Sequence, residues 1–174
     1  MGKLLYITHT SLDGYIEDAA GTFDFAQPGG GIFEFITEMI RPFKTHLYGR
    51  KLYETMAYWE APPENSEAAD FEFARIWQGA EKIVFSRAAR PFDAAEIAKL
   101  KRESPHDMIV GGAELAGVAI GAGLVDECRL FVNPIIVGGG KPAFRAGLRR
   151  DLELLETRGF DNGVVYLRYA LRAD

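Results

Sequence analysis

Two segments decide the fold of this chain: Leu47-Tyr48-Gly49-Arg50-Lys51-Leu52-Tyr53-Glu54 and Met108-Ile109-Val110-Gly111-Gly112-Ala113-Glu114-Leu115. Each begins as an apolar run typical of a buried strand, reaches glycine, and continues in a helical pattern. Because a helix N-terminus presents backbone N–H groups, junctions of this kind favour an anionic ligand. Two of them in one α/β domain predict a phosphate-bearing cofactor at the carboxyl ends of the strands.

The composition is typical of a soluble globular protein and argues against several classes of function. The chain has 174 residues, 48% of them hydrophobic, which is enough for one domain over residues 1–174. The net charge of -5 argues against nucleic-acid binding, which needs clustered lysine and arginine. No apolar run approaches the ~20 residues of a membrane span, so no membrane association is expected. The single cysteine, Cys128, cannot form an internal disulfide, which favours a cytoplasmic protein.

The hydrophobic pattern predicts alternating strands and helices, followed by an antiparallel tail. Strands are predicted over 3–9, 45–49, 81–86 and 107–110, and helices over 32–41, 50–56, 68–78, 94–103 and 113–122. Strands over 126–133, 152–160 and 164–171 follow, the last two joined at Asp161-Asn162-Gly163, a strong hairpin signal. We therefore expect a three-layer α/β/α fold with a mixed, mostly parallel sheet and an antiparallel C-terminal hairpin.

The residues at the two junctions each allow a functional and a structural interpretation. Arg50 and Lys51 can clamp a phosphate beside Gly49, or they can be two solvated cations on an exposed turn. Gly111 and Gly112 allow the backbone to approach a ligand closely, or they form a tight packing turn. Because both junctions occur in one chain, the nucleotide interpretation is favoured over either alternative.

Other polar residues lie near the same predicted edge of the sheet. Ser86 and Arg87 end another strand, where a hydroxyl and a guanidinium can lie beside the same ligand. Asp13, Glu34 and Glu38 are the carboxylates nearest the N-terminal loops. Glu34 and Glu38 fall on the polar face of their helix and are expected to be solvated. Asp13 either caps its own turn or takes part in catalysis.

The remaining motifs carry less chemistry. Residues 138–143 formally match the dinucleotide pattern G-x-G-x-x-A, but they come late in the chain and no helix is predicted there. We interpret them as a loop near the ligand or the sheet edge. His9, His46 and His106 have no metal-ligand spacing, so no metal site is predicted. His9 ends a strand near the expected site and is either a substrate contact or a structural residue.

Taken in order, the motifs resemble a known family. The chain is similar to the dihydrofolate-reductase-like superfamily, and within it to the C-terminal reductase domain of the bifunctional riboflavin-biosynthesis deaminase-reductase and its stand-alone relatives. The resemblance covers nearly the whole chain. The matching motifs are Ser11-Leu12-Asp13-Gly14-Tyr15-Ile16, Gly49-Arg50-Lys51-Leu52-Tyr53-Glu54, Phe85-Ser86-Arg87, Val110-Gly111-Gly112-Ala113-Glu114-Leu115, Gly123-Leu124-Val125-Asp126-Glu127, and Pro134 through Gly138-Gly139-Gly140 to Phe144.

The resemblance implies NADPH as the cofactor, a small heterocyclic molecule as the substrate, and a homodimer. The reaction would be hydride transfer to a C=N or C=O of a pterin-like or pyrimidine-like ring. By the same resemblance Thr8, Asp13 and Gly14 would lie near the nicotinamide, with Asp13 as the candidate catalytic residue. The implied nucleotide contacts are Gly49, Arg50, Lys51, Ser86 and Arg87 around the 2′-phosphate and adenine ribose, and Gly111, Gly112, Ala113, Glu114 and Leu115 at the pyrophosphate.

Three departures from the family pattern leave the substrate open. Dihydrofolate reductases place an acid at the start of the first long helix, where this chain has Pro28-Gly29-Gly30-Gly31. Position 52 is leucine, where those enzymes commonly have threonine, and the zinc deaminase motifs are absent. The leading hypothesis is an NADPH-dependent reductase of a pterin-like or ribitylaminopyrimidine-like ring. The alternatives are a true dihydrofolate reductase and a non-catalytic NADP(H)-binding or sensor protein.

Overall fold

The computed structural model describes residues 2–26, 29, 31–86, 88 and 91–172. Arg87, one of the predicted cofactor contacts, and Pro28 and Gly30 of the glycine-rich segment lie outside the described residues. The helices are α1 (Ile32–Ile40), α2 (Arg50–Met56), α3 (Ala68–Gly79), α4 (Ala94–Glu103) and α5 (Ala113–Gly121). The strands are β1 (Leu4–Thr10), β2 (Tyr15–Glu17), β3 (Thr45–Gly49), β4 (Glu81–Phe85), β5 (Met108–Gly111), β6 (Glu127–Val132), β7 (Lys141–Pro142), β8 (Leu152–Gly159) and β9 (Val165–Leu171).

Seven of these strands form one mixed sheet in the order β4-β3-β5-β1-β6-β9-β8. The pairs from β4 to β6 are parallel, and β9 pairs antiparallel with both β6 and β8. This confirms the predicted mostly parallel sheet with an antiparallel C-terminal hairpin. Because the five parallel strands run the same way, the ends of β1, β3, β4, β5 and β6 meet at one edge of the sheet.

Helices cover both faces of the sheet, which gives the three predicted layers. On one face, Tyr6 and Val110 pack with Ile97 of α4 and Leu115 of α5. On the other face, α1 and α3 pack against alternate residues of the same strands, among them Leu5. The alternation along β1 follows from the period of two in a strand, which turns neighbouring side chains to opposite faces. Cys128 lies in the first of these cores, 1% exposed, as predicted for an inert thiol.

Two local features differ from the predicted pattern. Residues 57–60 form a 3-10 helix, between two predicted helices and outside both of them. The segment after Gly140 pairs as β7 with β2 in a small antiparallel sheet, and no helix begins there. A side chain at Gly140 would overlap the backbone of Glu17 and Asp18, so this pairing requires glycine. Strands of two and three residues are too short to show the alternation from which longer strands are predicted.

Candidate functional site

A cavity of about 900 Å³ opens at the shared edge of the parallel strands. Its walls include the end of β1, the β3–α2 and β5–α5 junctions, and side chains of α1 and α3. Cavities of this size at the carboxyl ends of parallel strands are the usual ligand sites of α/β proteins. Most of the predicted site residues lie on its wall: Thr8, Gly49, Arg50, Lys51, Ser86, Gly111, Gly112, Glu114 and Leu115.

The two glycine junctions predicted from the sequence lie side by side in space. Tyr48 on β3 is in register with Gly111 on β5. A Cβ added at Gly112 would lie 3.8 Å from the backbone nitrogen of Gly49. Gly112 is the N-cap residue of α5, with φ +91°, and no side chain caps the helix there. The free N–H groups at this end of α5 therefore lie beside the β3–α2 turn.

The paired glycines have different structural roles. A Cβ at Gly111 would come within 2.5 Å of Leu52 Cδ2 and 2.8 Å of the Tyr48 ring, so this position is a tight packing turn. A Cβ at Gly112 would meet no atom closer than 3.8 Å, so this position faces free space. Thus both interpretations drawn from the sequence apply, the packing one to Gly111 and the open approach to Gly112.

Cations and carboxylates alternate around the mouth of the cavity. Lys51 Nζ lies 2.8 Å from Glu17 Oε2, and Lys141 Nζ lies 3.2 Å from Glu114 Oε1. Arg50 is exposed on the first turn of α2. The sequence analysis missed Glu17 and Lys141, which reach the mouth through the β2–β7 sheet. The sequence signal for this was the Gly-Gly-Gly-Lys-Pro segment ending at Pro142, which was interpreted as a loop near the ligand or the sheet edge.

Asp13 and Gly14 do not line the cavity. The Asp13 carboxylate accepts hydrogen bonds from the backbone N–H groups of Gly138 at 2.8 Å and Val137 at 3.2 Å. A hydrogen bond from the Ser11 hydroxyl has the largest effect in lowering the pKa of Asp13 below its usual value, and the two backbone hydrogen bonds lower it further. The Gly14 carbonyl accepts from Ala143 N at 2.9 Å. The Asp13–Gly14 turn therefore connects the loop after β1, through these hydrogen bonds, to the residues on either side of β7. The other predicted contact off the wall is Ala113, which is buried inside α5.

The deep part of the cavity is an apolar surface that the sequence analysis did not identify. Three rings form its centre, with centroids 5.8 Å apart for Phe33 and Trp59, 5.3 Å for Phe33 and Phe73, and 4.5 Å for Trp59 and Phe73. We call this surface the inner wall. It consists of Ile7, His9, Phe33, Ile36, Ile40, Trp59, Phe73, Ile109 and Phe131. The sequence does not distinguish its helical members from core residues, because a helix face turned to a cavity has the same apolar spacing as one turned to a sheet.

His9 is the polar member of the inner wall. Its ring stacks on Phe131, with centroids 4.9 Å apart and an interplanar angle of 18°. Its Nδ1 is enclosed and has no hydrogen-bond partner. Burial lowers the pKa of His9 to about 4, so the imidazole is neutral at pH 7. The sequence left open whether His9 contacts substrate, and its position places it where a bound molecule would lie.

His46 belongs to a structural network beneath the wall. Trp77 Nε1 donates to the Tyr48 hydroxyl at 3.2 Å, and that hydroxyl lies 2.9 Å from His46 Nδ1. Because the tyrosine oxygen accepts from tryptophan, its own hydrogen is directed to the imidazole. Burial, with the charge of Lys82, lowers the pKa of His46 to about 4. The network holds β3 against α3 and leaves His46 uncharged.

Two properties of the described residues bear on the class of site. No group of three or more His, Cys, Asp and Glu side chains there is placed to hold a metal ion. In the same part of the chain, no helix combines the length and the apolar character needed to cross a lipid bilayer.

Comparison with known proteins supports the same kinship as the motifs. Residues 94–166 match the family model described as the RibD C-terminal domain. The chain is 32% identical over 173 residues to the uncharacterized protein YyaP of Bacillus subtilis, covering 91% of this chain and 89% of that protein.

Solved structures share the fold at low sequence identity. A putative riboflavin biosynthesis protein from Shewanella sp. has a TM-score of 0.69 at 17% identity, covering 98% of this chain and 99% of that one. A pyrimidine reductase-like protein from Corynebacterium diphtheriae has a TM-score of 0.68 at 16% identity, with 99% and 93% covered. The Thermotoga maritima diaminohydroxyphosphoribosylaminopyrimidine deaminase/5-amino-6-(5-phosphoribosylamino)uracil reductase has a TM-score of 0.65 at 14% identity. There the match covers 98% of this chain and 57% of the longer protein.

Proposed function

The chain belongs to the RibD C-terminal domain family, and on that premise we propose that it is an NADPH-dependent reductase of a small pterin-like or ribitylaminopyrimidine-like heterocycle. The observation that carries the proposal is the meeting of the two glycine junctions, where a Cβ at Gly112 would lie 3.8 Å from the nitrogen of Gly49. Two helix N-termini then open on one space at the mouth of a large cavity. This arrangement suits a pyrophosphate, because backbone N–H groups stabilise anionic oxygens.

The residues around this space fit the parts of NADPH. Arg50 is placed to bind the 2′-phosphate, which a guanidinium can grip with two parallel hydrogen bonds. Gly112 lets the pyrophosphate approach the first turn of α5, and Thr8, at the end of β1, lies where the nicotinamide would reach the deep cavity. When bound, NADPH supplies a hydride. The protein's task is to hold the acceptor ring against the inner wall, beside that hydride, and to exclude water.

For Asp13 the placement supports a positioning role. Its carboxylate already accepts two backbone N–H groups of the 137–138 segment, so it sets the shape of the loop and does not reach the cavity. We propose that the proton accompanying the hydride is delivered through water. Without such a path for the proton, the protein would be a non-catalytic NADP(H)-binding or sensor protein. The position of Asp13 outside the cavity lining favours this second candidate.

A true dihydrofolate reductase is disfavoured by the side chains of α1. Glu34 is exposed and lines no part of the large cavity, and Glu38 pairs with Arg41 on the outer surface. The α1 residues that do line the cavity are Phe33, Ile36 and Ile40. A pterin recognised in the manner of those enzymes requires a carboxylate at this place, and none of the described residues of α1 supplies it.

We also propose that the protein works in the cytoplasm as a homodimer with one domain per chain. Support for the dimer comes from β8, the edge strand of the sheet, all of whose residues are exposed. Leu152, Leu154 and Leu155 are 43%, 52% and 44% exposed. An exposed apolar edge strand is prone to pair with another chain.

The test of function is a fluorescence and thermal-shift titration with NADPH and NADH side by side. We expect clear binding of NADPH and much weaker binding of NADH. Turnover of pterins or pyrimidines by the NADPH complex would then distinguish a reductase from a non-catalytic sensor protein. Turnover of dihydrofolate would support the alternative of a true dihydrofolate reductase. Absence of binding to either nucleotide would refute the proposal.

A further inference from the structure

We propose that the inner wall selects an uncharged, planar, unphosphorylated ring compound and rejects phosphorylated substrates. This inference rests on the proposed reductase function and narrows its substrate class. It sets this chain apart from the uracil reductase named above, whose substrate name includes a phosphoribosyl group. The inference comes from the distribution of charged side chains along the cavity, which are found at the mouth and not on the described inner wall.

The described residues of the inner wall carry no charge. Eight are aliphatic or aromatic, and the ninth is His9, which is neutral at pH 7. The three central rings, Phe33, Trp59 and Phe73, lie within 4.5 to 5.8 Å of one another and present apolar surface to a bound ring. Aromatic side chains at this spacing favour a flat ligand, which stacks on one ring or packs edge-on against another.

Charged side chains on the described lining all belong to the mouth. They lie on β2, α2, α5 and β7, and they comprise three cations and three carboxylates: Arg50, Lys51, Lys141, Glu17, Glu54 and Glu114. Their charges sum to zero. Two of the cations are already paired with carboxylates, at 2.8 and 3.2 Å. An NADPH molecule bound at the junctions would need these same cations for its own phosphates.

A second phosphate in the deep cavity would therefore find no counter-charge among the described residues of the inner wall. Moving an ionised group out of water is costly unless it gains a charged or hydrogen-bonding partner. Among the described residues of the inner wall, the hydrogen-bond donors are the neutral imidazole of His9 and the indole N–H of Trp59, and neither carries a charge. The phosphates of NADPH would add repulsion across a cavity of low polarity. A neutral ring meets neither penalty and gains from the removal of apolar surface from water.

The reduction requires one hydride and one proton from solution. Bound NADPH would supply the hydride, which forms a C–H bond at the carbon of a C=N or C=O in the bound ring. The π-electron pair of that double bond would move to nitrogen or oxygen, which takes one proton relayed by water from the bulk solution. The substrate gains two electrons and two hydrogens, and NADPH becomes NADP⁺. A neutral substrate thus yields a neutral product, and the inner wall holds no net charge at either stage.

The test uses two probes that differ by one phosphate, 1-naphthol and 1-naphthyl phosphate. Protein is first saturated with NADP⁺, so that neither probe can occupy the nucleotide end, and each probe is then titrated by calorimetry. We expect 1-naphthol to bind at least tenfold more tightly than the phosphate, about 1.4 kcal/mol. Equal or tighter binding of the phosphate, or no binding of 1-naphthol at millimolar concentration, would overturn the inference.

A matched pair of variants ties the binding to the wall. Trp59→Leu removes one of the three central rings and should weaken 1-naphthol binding at least fivefold, whereas Phe71→Leu should not, because Phe71 is 43% exposed on α3 and does not line the cavity. Equal losses in both variants would contradict the assignment. If NADP⁺ itself fails to bind, the proposed function fails, and the same probe pair titrated without nucleotide still tests the wall.

Discussion

Replacing Gly112 with alanine should separate the cost of backbone strain from the cost of blocking the nucleotide. Gly112 has φ +91°, a conformation that residues with a Cβ rarely adopt. The strain of an alanine there is about 1–3 kcal/mol. For a domain of this length each kcal/mol lowers the Tm by roughly 2–4 °C. The added methyl would stand 3.8 Å from Gly49 N and 3.9 Å from Leu52 Cβ, in the space between the two helix N-termini.

The loss of NADPH affinity should exceed what strain alone produces. We expect the Kd for NADPH to rise at least tenfold, about 1.4 kcal/mol, because the methyl occupies the closest approach to the α5 backbone. Gly123→Ala is the matched control. Gly123 follows the other end of α5, also has a positive φ, +68°, and has no atom within 4 Å of an added Cβ. Both variants should lose stability, and only Gly112→Ala should lose NADPH.

Thermal unfolding and nucleotide titration on the same preparations measure the two effects. Stability is compared by Tm without ligand, and affinity by titration well below the lower Tm, so that both variants are folded. Unchanged NADPH affinity in Gly112→Ala would refute the placement of the pyrophosphate at α5. A parallel loss of affinity in Gly123→Ala would show that strain in α5, and not contact at its N-terminus, controls binding.

Four further predictions concern charge and assembly. Arg50→Ala should weaken NADPH at least tenfold and NADH little, whereas Arg75→Ala, which removes an exposed cation off the cavity, should change neither by titration. The folded pKa of His46, about 4 against an ordinary 6.5, means that the unfolded chain binds more protons between those values. His46 should therefore contribute about 3 kcal/mol to the fall in stability between pH 6.5 and 4, His9 adds a share of its own, and His46→Asn should remove the His46 share alone in denaturant titrations. The pKa of Glu127, which burial alone would raise, is lowered to about 2 by hydrogen bonds from Arg168, Lys3 and Arg129, so a second decline should begin below pH 4.5. Leu154→Lys on β8 should convert the dimer to a monomer in light scattering; a dimer that persists would place the interface elsewhere.

The sheet was predictable because its strands carry unambiguous patterns. Both deciding segments place a short apolar run before glycine, and both became a strand followed at once by a helix. Asp93 has the side chain of a typical N-cap residue immediately before the predicted helix over 94–103, and its carboxylate accepts from Ala95 N at 3.0 Å. Signals of this kind act within a few residues, so the sequence alone carries them.

The deep half of the site was not predictable for a physical reason. Phe33 and Phe73 lie on different helices, 40 residues apart in sequence, and meet only when α1 and α3 pack on the same face of the sheet. An apolar stripe on each helix predicts burial, but it does not say whether the stripe meets the sheet or a cavity. The pairing of Lys51 with Glu17 depends likewise on the short β2–β7 sheet. Lys51 was predicted from its junction, and its carboxylate partner was not.

The same distinction explains why the sequence predicts a class of cofactor and leaves the substrate open. A pyrophosphate is recognised by backbone geometry, and that geometry follows from glycine and from where a helix begins, as at Gly112. A substrate ring is recognised by side chains that distant elements bring together, as Phe33 and Trp59 are brought together here. Because those side chains are free to differ while the strand-to-helix junctions keep their form, one cofactor site can serve many substrates. The uncharged character of the described inner wall would thus decide which of these substrates this chain admits.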